Sequence, residues 1–553
     1  MTRNLTLAIC LLATVASAEA QWTTDVSVNT TVRADTTGEA VTPLTTEGPD
    51  GSTYISWFEN PTGEYQLRMQ RLDAAGNRLW PDTGLVVSSF PQNSAIFRYD
   101  LQSDENENAI VAFQDERTGN LDIVAYKIGP DGSFLWGLDG VQLPTPGTTG
   151  LSPVVAALSN GNTAIAWSTN DSPGQVAVQL VGPSGTQLLA TPVLISASTR
   201  VSRPKLIATH DGGFILQYVV SNGSFGIPPG TMYAQRYAAN GTAVWPNTVQ
   251  VSSKPVAFFY FPEPVSDGHD GFFLAYNTGN PDNASFTDVY VQRVRANGTL
   301  WSVDGTRTDN SATIQKFTAG KGLALLGDEE GMMVPLQITD GAQGQSGVAV
   351  QRLDTAGVRQ LGDFAATVIP ISSNYVAPWD ASATEDGAVI AHVSGTFGEQ
   401  HIAATRVNLA GIPAWSPAQR DISTANSNKD DVQATEMEDG RVVVVWQDDR
   451  NPNGIYAQSI DSLDISTGVA HISTSEDHVR LEQNPADAPA LLLPPTFRGG
   501  AEVEVFGAQG KLAYAGRLNG GSRVQLPLGG LPHGLYSIRV IANGSTAVVR
   551  WVH

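Results

Sequence analysis

The sequence predicts an all-β protein: an eight-bladed β-propeller closed by its N-terminal strand and followed by a small β-sandwich domain. Three observations predict this fold. A sequence pattern recurs eight times, seven of the repeats carry a glycine turn at the same place, and the half that the last repeat lacks is found near the N-terminus. A regular period indicates a repeat architecture, and four short strands per unit are typical of a propeller blade.

In each repeat an apolar run ends in a large residue, which we call the anchor. The first repeat shows the pattern, with a short first strand at 40–46, a second strand at 54–58, a polar loop, a third strand at 67–72 and a fourth that opens with Leu79 and Trp80. Short alternating runs bounded by turn residues predict strands. The anchors recur about every 56 residues and are Trp57, Phe113, Trp167, Tyr218, Tyr276, Leu336, His392 and Trp446.

A glycine turn follows the third strand of most repeats. Glycine adopts positive φ without a Cβ clash, so a tight hairpin is expected there. The turn glycines are Gly76, Gly132, Gly185, Gly241, Gly298, Gly357 and Gly411. A large apolar residue follows three or four places later and is expected to pack between neighbouring blades. These residues are Trp80, Trp136, Leu189, Trp245, Trp301, Leu361 and Trp415.

The eighth repeat is incomplete. It has two strands, at 442–446 and 455–460, but lacks the glycine turn and the tryptophan strand. The segment from Trp22 to Thr30 has a residue pattern similar to that of the stretch from Trp80 to Ser88. We therefore expect the N-terminal strand to complete the last blade and close the ring, which removes unpaired strand edges.

Charge and the N-terminus indicate where the protein works. The net charge of −22 argues against nucleic acid and anionic membrane as partners. Residues 1–20 read as a signal peptide, with cleavage expected between Ala20 and Gln21 and a competing site after Ala18. The single cysteine, Cys10, lies inside this segment, and no other segment is apolar enough to span a membrane. The predicted domains are thus a signal peptide at 1–20, a propeller at 21–465 and a C-terminal domain at 466–553.

Two stretches resemble known families. The phrases ISWFENPTGEYQLRMQRLDAAGNRLW and VVVVWQDDRNPNGIYAQSI resemble repeats of secreted proteins from the Bacteroidetes and their relatives. Residues 471–553 resemble the C-terminal sorting domain of type IX secretion, through Asn484-Pro485, the run from Val503 to Leu512, and the strands that begin at Leu535 and Ala547. This resemblance implies export across the outer membrane, the type IX machinery as a partner, and a secreted or cell-surface location.

The sequence predicts no catalytic residue, metal site or cofactor. The histidines lack ligand spacing, and His392 stands at an anchor position, which favours a packed core histidine. Asp-x-Arg motifs such as Asp115 to Arg117 and Asp448 to Arg450 could form repeated ion sites. Because these motifs keep register with the fold, Asp–Arg pairing that fixes blade geometry is the favoured interpretation.

Loop length predicts where a ligand would bind. The loops between second and third strands lengthen in units four to six, at 221–230, 278–288 and 338–347. Function tends to reside on such loops held by a rigid scaffold, and aromatic residues lie in or near them. We predict Phe225, Phe286 and Trp379 as binding residues for a glycan or protein ligand.

The expected function is that of an exported or surface-attached, non-catalytic binding protein. Two alternatives stay open at this point: an extracellular glycan hydrolase or lyase on a propeller scaffold, and a structural or adhesive surface protein. Fold alone does not decide among them, because propellers host many functions.

Overall fold

The structure is a computed structural model of the full chain. It describes residues 22–23, 25–35, 38–61, 63–92, 98–143, 149–221, 230–256, 263–320, 322–326, 331–384, 386–437, 440–461, 480–482, 490–493, 500–507, 511–518, 523–528, 531, 535–542 and 545–552. The chain divides into two compact units, Met1–Ile465 and Ser466–His553. The predicted cleavage residues Ala20 and Gln21 lie outside the described residues.

The first unit is built from antiparallel sheets, which we number in chain order. The strand at the N-terminus is β1 (Thr30–Asp35). Sheet 1 contains β2 (Glu39–Glu47), β3 (Thr53–Asn60), β4 (Tyr65–Leu72) and β5 (Leu85–Gln92), with a 3-10 turn at Pro49–Gly51. Sheet 2 contains β6 (Asp100–Ser103), β7 (Ala109–Asp115), β8 (Asp122–Ile128) and β9 (Val141–Gln142). Sheet 3 contains β10 (Gly150–Ala157), β11 (Thr163–Thr169), β12 (Val176–Val181) and β13 (Val193–Ile195).

The next sheets repeat this order. Sheet 4 contains β14 (Val201–Ala208), β15 (Phe214–Ser221), β16 (Gly230–Tyr237) and β17 (Val249–Gln250). Sheet 5 contains β18 (Pro264–Ser266), β19 (Phe272–Gly279), β20 (Thr287–Val294) and β21 (Thr306–Arg307). Sheet 6 contains β22 (Gln315–Thr318), β23 (Ala324–Leu325), β24 (Met332–Thr339), β25 (Ser346–Leu353) and β26 (Ala366–Ser372).

The last two sheets of this unit end at residue 461. Sheet 7 contains β27 (Val376–Thr384), β28 (Gly387–Ser394), β29 (Gln400–Asn408) and β30 (Gln419–Ser427). Sheet 8 contains β31 (Lys429–Glu436), β32 (Arg441–Asp448) and β33 (Asn453–Asp461), and β1 pairs with β33 as its fourth strand. This succession of antiparallel meanders, four-stranded except for the additional β23 of sheet 6, is the architecture of a β-propeller.

The sheets contact one another mainly through their first strands. β2 contacts β6, β6 contacts β10, β10 contacts β14, and β14 contacts β18. Further along, β27 contacts β31, and β2 of sheet 1 also contacts β31, β32 and β33 of sheet 8. The first strands therefore lie on the inside of the array. All eight anchors are buried, and so each sheet supplies a large residue to the core between sheets.

The large residues after the hairpins pack between sheets, as predicted, and six of the seven lie over the glycine turn of the following sheet. Trp80 lies over Gly132, and its indole N–H donates to the Pro130 carbonyl at 3.3 Å. Trp136 has the same relation to Gly185 and Pro183, at 3.0 Å. All seven turn glycines have positive φ, between 72° and 87°. A side chain at any of these positions would strain the turn, and at Gly357 its Cβ would also lie 2.8 Å from the ring of Trp301.

The Asp-x-Arg motifs are internal pairs. Arg117 Nη2 contacts Asp115 Oδ2 at 2.7 Å, and Arg450 pairs with Asp448 in sheet 8. Asp448 also contacts Lys429 Nζ at 3.1 Å and accepts the indole N–H of Trp446 at 2.8 Å. The side chains of Asp448 and Lys429 are fully buried. The motif therefore fixes the geometry of the sheets, which was the favoured interpretation.

Two details differ from the sequence prediction. The strand that pairs with β33 is Thr30–Asp35 rather than 22–30, because a turn at 25–28 precedes it. Asp25 holds this turn by accepting the Ser27 amide N–H at 2.9 Å, and such local bonds compete with strand pairing.

The second difference is the length of a loop in sheet 6. The loop at 340–345 is no longer than the loops of sheets 2 and 3, at 116–121 and 170–175. Pairing between β24 and β25 extends to Thr339 and Ser346 and shortens that loop.

The second unit forms two antiparallel sheets. One contains β34 (Arg480–Glu482), β35 (Ala490–Leu492) and β38 (Arg523–Gln525). The other contains β36 (Ala501–Gly507), β37 (Leu512–Leu518), β39 (Leu535–Ala542) and β40 (Ser545–Val552). Leu491 and Leu526 share one apolar cluster with Val503 and Ile538, so the two sheets share a core of their own.

Candidate functional site

Bulges interrupt the first strands of five sheets near their N-terminal ends. In β2, β10, β14, β27 and β31 the pairing with the second strand skips one or two residues. A bulge redirects side chains, and bulges are frequent beside functional sites. The bulge set, defined by one skipped residue per strand, is Thr42, Ser152, Arg203, Trp379 and Asp431.

Four members of the bulge set have positive φ although none is glycine. The values are 52° for Thr42, 50° for Ser152, 57° for Arg203 and 48° for Asp431. Such conformations cost on the order of 1–3 kcal/mol, and they persist only where the surrounding structure holds them.

Side chains of the preceding sheet hold these bulges in place. The backbone N–H of Thr42 donates to Gln447 Oε1 at 3.2 Å, and that of Ser152 donates to Gln114 Oε1 at 3.1 Å. The N–H of Arg203 donates to the hydroxyl of Ser168 at 3.3 Å. Contacts between sheets therefore fix the backbone of three members of the bulge set, as a pre-organised site requires.

The bulges lie at the same end of the sheets as the loops between second and third strands. Val41 pairs with Phe58, near the end of β3, and Asp430 pairs with Gln447, near the end of β32. We call this end the loop face. The hairpins between third and fourth strands lie at the opposite end, because the strands are antiparallel.

Charged side chains from four sheets converge at the inner side of the loop face. Arg98, just before β6, interacts electrostatically with Glu263 of sheet 5 and with Asp431 of sheet 8. Burial first, and then the positive charge of Arg98, lower the pKa of Arg203 in sheet 4. Lys205 of the same sheet forms an ion pair with Glu263. The Lys205–Glu263 pair joins sheets 4 and 5 directly, and Arg98 lies within electrostatic range of Glu263, Asp431 and Arg203 although the four sheets are not all neighbours. We call these five residues the inner charge cluster.

Asp100 joins two first strands beside this cluster. Its carboxylate accepts the backbone N–H of Val155 at 2.9 Å and of Leu101 at 3.0 Å. Burial raises the pKa of Asp100 to about 6, although the charge of Lys205 and the Val155 N–H act in the other direction. Asp380 makes the same arrangement in sheet 7, with the N–H groups of Ala434 and Ala381. These carboxylates connect neighbouring sheets.

An aromatic edge lies on the loop face of sheet 7. It consists of Tyr375, Trp379 and Phe397, of which Tyr375 is 46% and Phe397 87% exposed, while Trp379 is half-buried. The backbone N–H of Gly395 donates to the Tyr375 carbonyl at 3.0 Å and ties the Phe397 loop to the start of β27. Large exposed rings with a fixed backbone are suited to ligand contact.

The three predicted binding residues differ in where they lie in the structure. Trp379 lies at the bulge of β27, where its half-buried ring packs against the apolar cluster of sheets 7 and 8. Phe286 is half-buried at the end of the loop at 280–286, where its ring lies so close to Gly341 that a Cβ there would be 2.8 Å from Cζ. Phe286 therefore packs the loops of sheets 5 and 6 together. Phe225 lies outside the described residues.

Sequence reasoning missed most of the bulge set. One signal was present, since the dipeptides Thr42-Pro43, Ser152-Pro153 and Arg203-Pro204 recur at the start of first strands. Proline lacks an N–H and is confined to edges and bulges of sheets. The inner charge cluster left no signal in the sequence of any one repeat, because its five residues come from four different repeats.

The described part of the chain holds no cluster of three or more His, Cys, Asp or Glu side chains arranged for a metal ion. His392 is buried at its anchor position with its Nε2 3.2 Å from the Thr405 hydroxyl. Burial lowers the pKa of His392 to about 4. Among the described residues, no helix has both the length and the apolar character needed to cross a bilayer.

Comparison by sequence finds no matching family model and no matching curated protein. Comparison by structure finds a protein of unknown function from Dyadobacter fermentans, 10% identical, with a TM-score of 0.36, covering 78% of this chain and 98% of that one. An ulvan lyase of polysaccharide lyase family PL25 is 11% identical, with a TM-score of 0.40, covering 78% of this chain and 96% of the lyase. The β-propeller domain of the trilobed protease from Pyrococcus furiosus is 7% identical, with a TM-score of 0.38, covering 67% and 99%. Similarities of this size carry no functional information.

Proposed function

We propose that this protein is an exported or surface-attached, non-catalytic binding protein that uses its loop face to bind a glycan or protein ligand. The observation that carries the proposal is the position of the bulge set. The first strands of five sheets each carry a bulge at the loop face, and the bulged residues include an indole, a guanidinium and a carboxylate. A few fixed polar groups beside aromatic rings are the usual composition of a ligand site.

The proposed scaffold is an eight-bladed propeller closed by the N-terminal strand. The pairing of β1 with β33 and the contacts of β2 with sheet 8 support it. Deletion of residues 21–35 should lower the melting temperature markedly, because β33 becomes an exposed edge. A truncated protein that melts like the full mature chain would contradict closure.

The proposed route of export is the type IX machinery, which would recognise residues 466–553 and place the protein outside the cell. Its support is the sequence pattern of the tail together with the separate core of the second unit. The signal peptide at 1–20 would direct the first step across the inner membrane.

A binding role is favoured over the hydrolase or lyase alternative by how the carboxylates are used. Glycoside hydrolysis requires two carboxyl groups flanking the scissile bond, one of them free to move a proton. At the loop face, Asp100 and Asp380 each accept two backbone N–H groups, and Glu263 is paired with Lys205, so these three carboxylates maintain the scaffold. Asp431 of the bulge set faces Arg98 and is the carboxylate that we assign to ligand binding. Turnover of polysaccharides by the purified mature chain would overturn the choice.

The experiment that tests the proposal is a glycan array and a pull-down with the mature full-length chain, followed by Trp379→Ala. This variant removes a half-buried ring of the aromatic edge and should weaken binding of any ligand found at least tenfold, with an unchanged circular dichroism spectrum. Leu135→Ala is the matched control, since Leu135 is 44% exposed beside a hairpin at the opposite end. Equal loss in both variants, or none in Trp379→Ala, would contradict the site. Absence of any glycan or protein ligand would favour the structural or adhesive alternative.

A further inference from the structure

The aromatic edge of sheet 7 carries the most exposed large apolar side chain of the described residues. Phe397 is 87% exposed in the loop between β28 and β29, and Tyr375, just before β27, is 46% exposed. A ring left in water forgoes the free energy that its burial would release, and grouped exposed rings are typical of surfaces that contact another molecule.

Hydrogen bonds hold the Phe397 loop on both sides of the ring. The Gly395 N–H donates to the Tyr375 carbonyl at 3.0 Å within sheet 7. The Gly398 N–H donates to Asn428 Oδ1 of sheet 8 at 2.6 Å. The backbone therefore presents the exposed ring in one position, which reduces the entropy lost when a partner binds.

Two exposed carboxylates lie beside this loop, at the start of sheet 8. Asp449 accepts the N–H of Asn428 at 2.6 Å, and Asn428 is the residue that holds Gly398. Asp430 pairs with Gln447, so it takes the next position on the same face of the sheet as the Asn428–Asp449 contact. We call this surface the junction surface, and it consists of Tyr375, Phe397, Asp430 and Asp449.

The charge of the junction surface is not compensated within the described part of the chain. Lys429 and Arg450, the adjacent cations in the sequence, both pair with the buried Asp448, and no described cation forms an ion pair with Asp430 or Asp449. Partial desolvation first, and then the charge of Asp449, raise the pKa of Asp430. A cation supplied from outside would relieve this repulsion.

Sheets 1 and 2 show how this fold holds a guanidinium between a ring and a carboxylate. The guanidinium carbon of Arg117 lies 4.2 Å from the centroid of the Phe90 ring, and the same guanidinium pairs with Asp115 at 2.7 Å. Phe90 is consequently only 37% exposed. The junction surface has the ring and the carboxylates of this arrangement, and no described arginine or lysine lies over Phe397.

We propose that the junction surface binds an arginine side chain of a partner protein, with the guanidinium stacked on Phe397 and paired with Asp430 or Asp449. A planar guanidinium does both at once, since the face of a ring attracts it and it donates parallel hydrogen bonds to a carboxylate. This inference rests on the proposed function and specifies its ligand as a protein with an exposed arginine-containing segment. The net charge of −22 would attract such a segment before contact.

The test is the binding of two fluorescent peptides to the mature full-length chain, measured by anisotropy at constant ionic strength. One peptide has two arginines spaced by glycines, and the other has citrulline in place of arginine, which keeps the shape and removes the charge. Phe397→Ala and Asp430→Asn should each weaken binding of the arginine peptide about fivefold or more. Phe364→Ala and Asp82→Asn are the matched controls, because Phe364 is an exposed ring of sheet 6 and Asp82 an exposed carboxylate of sheet 1.

Melting without peptide separates binding from folding. Phe397→Ala should melt at the wild-type temperature because the exposed ring has few contacts to lose, and Asp430→Asn should melt there or higher because it removes repulsion. A lower melting temperature of either variant would assign that residue a structural role and overturn its part in the site.

Three binding results would also overturn the inference. They are equal binding of the two peptides, no binding of the arginine peptide, and a loss in Asp430→Asn with none in Phe397→Ala, which indicates general charge attraction. Phe397→Leu keeps an apolar side chain without a ring face, so full affinity in this variant would contradict stacking. If a glycan or another protein binds the wild-type chain while the arginine peptide does not, the proposed function stands and only the arginine site is wrong.

Discussion

Trp22 lies over Gly76, and its indole N–H donates to the carbonyl of Ala74 at 2.9 Å. The relation repeats that of Trp80 to Gly132, in which the donor reaches the carbonyl two residues before the turn glycine. Trp22 thus occupies, on sheet 1, the position that a tryptophan of the last repeat would occupy. The ring leaves no room for a Cβ at residue 76, since that atom would be 2.8 Å from Trp22 Cδ2.

Trp22→Ala should therefore destabilise the first unit although residue 22 lies close to the N-terminus. Truncation of a half-buried tryptophan with a hydrogen-bonded indole is expected to lower the free energy of unfolding by about 2 kcal/mol. Trp22→Phe keeps the ring and loses only the donor, so it should lose about half as much. Urea denaturation measures both values. A midpoint unchanged in Trp22→Ala would show that the N-terminal segment contributes nothing to closure.

His392 should make stability depend on pH in mildly acidic solution. Burial lowers its pKa to about 4, whereas an unfolded histidine has a pKa of about 6.5. The unfolded chain therefore takes up a proton first, and stability that is complete above pH 6.5 is lost as pH falls toward 4. The full effect is about 3 kcal/mol.

The matching variant is His392→Leu, because Leu336 is the buried anchor at the equivalent position of sheet 6. It should reduce the loss of stability between pH 6.5 and 4, measured by denaturation at several pH values. His401→Gln, on the adjacent strand, should keep the wild-type dependence. The same slope in His392→Leu and in the wild type would assign the effect to other groups.

Asp448→Asn should be among the more damaging single substitutions in sheet 8. It leaves the fully buried Lys429 without its carboxylate partner, which typically costs about 3–5 kcal/mol. Burial acts to raise the pKa of Asp448, but hydrogen bonds from Arg450 and Ser427 and the charge of Lys429 lower it to about 2. The stabilisation is thus present above pH 3.8 and is lost as pH falls toward 2.

The double variant Asp448→Asn with Lys429→Met should recover part of this loss, because it removes the uncompensated charge. Asp82→Asn is the surface control, since the Arg78–Asp82 pair is exposed and should contribute under about 1 kcal/mol. Similar losses from Asp82→Asn and Asp448→Asn in chemical denaturation would contradict the importance assigned to the buried pair.

Removal of residues 466–553 should leave the first unit folded, because each unit has its own core. We expect the truncated chain to melt as the first unit of the intact protein does, and to remain in the periplasm when produced in a bacterium that has the type IX machinery. Cell fractionation measures location, and mass spectrometry of the exported intact form should find an end near residues 461–468. Normal export of the truncated chain would contradict the proposed role of the tail.

The repeated hydrogen-bond and packing units were accessible from sequence because they are local. A turn glycine and the residue three or four places later lie within one hairpin, so Gly132 and Trp136 could be recognised without knowing their neighbours. The same holds for the anchors, whose apolar runs bury them in any sheet. The position of β1 was missed by several residues, because the Asp25 turn depends on a single side-chain bond that periodicity does not reveal.

The sequence by itself determined the all-β class, the repeat and the place of each anchor, since hydrophobic periodicity and turn chemistry act over a few residues. Only the tertiary structure decided which residues meet at the loop face. Arg98 and Asp431 stand far apart along the chain and come within electrostatic range because first strands of sequence-distant sheets converge. The bulge at Arg203 likewise depends on Ser168 of another sheet, and a contact between sheets leaves no periodic trace in either strand.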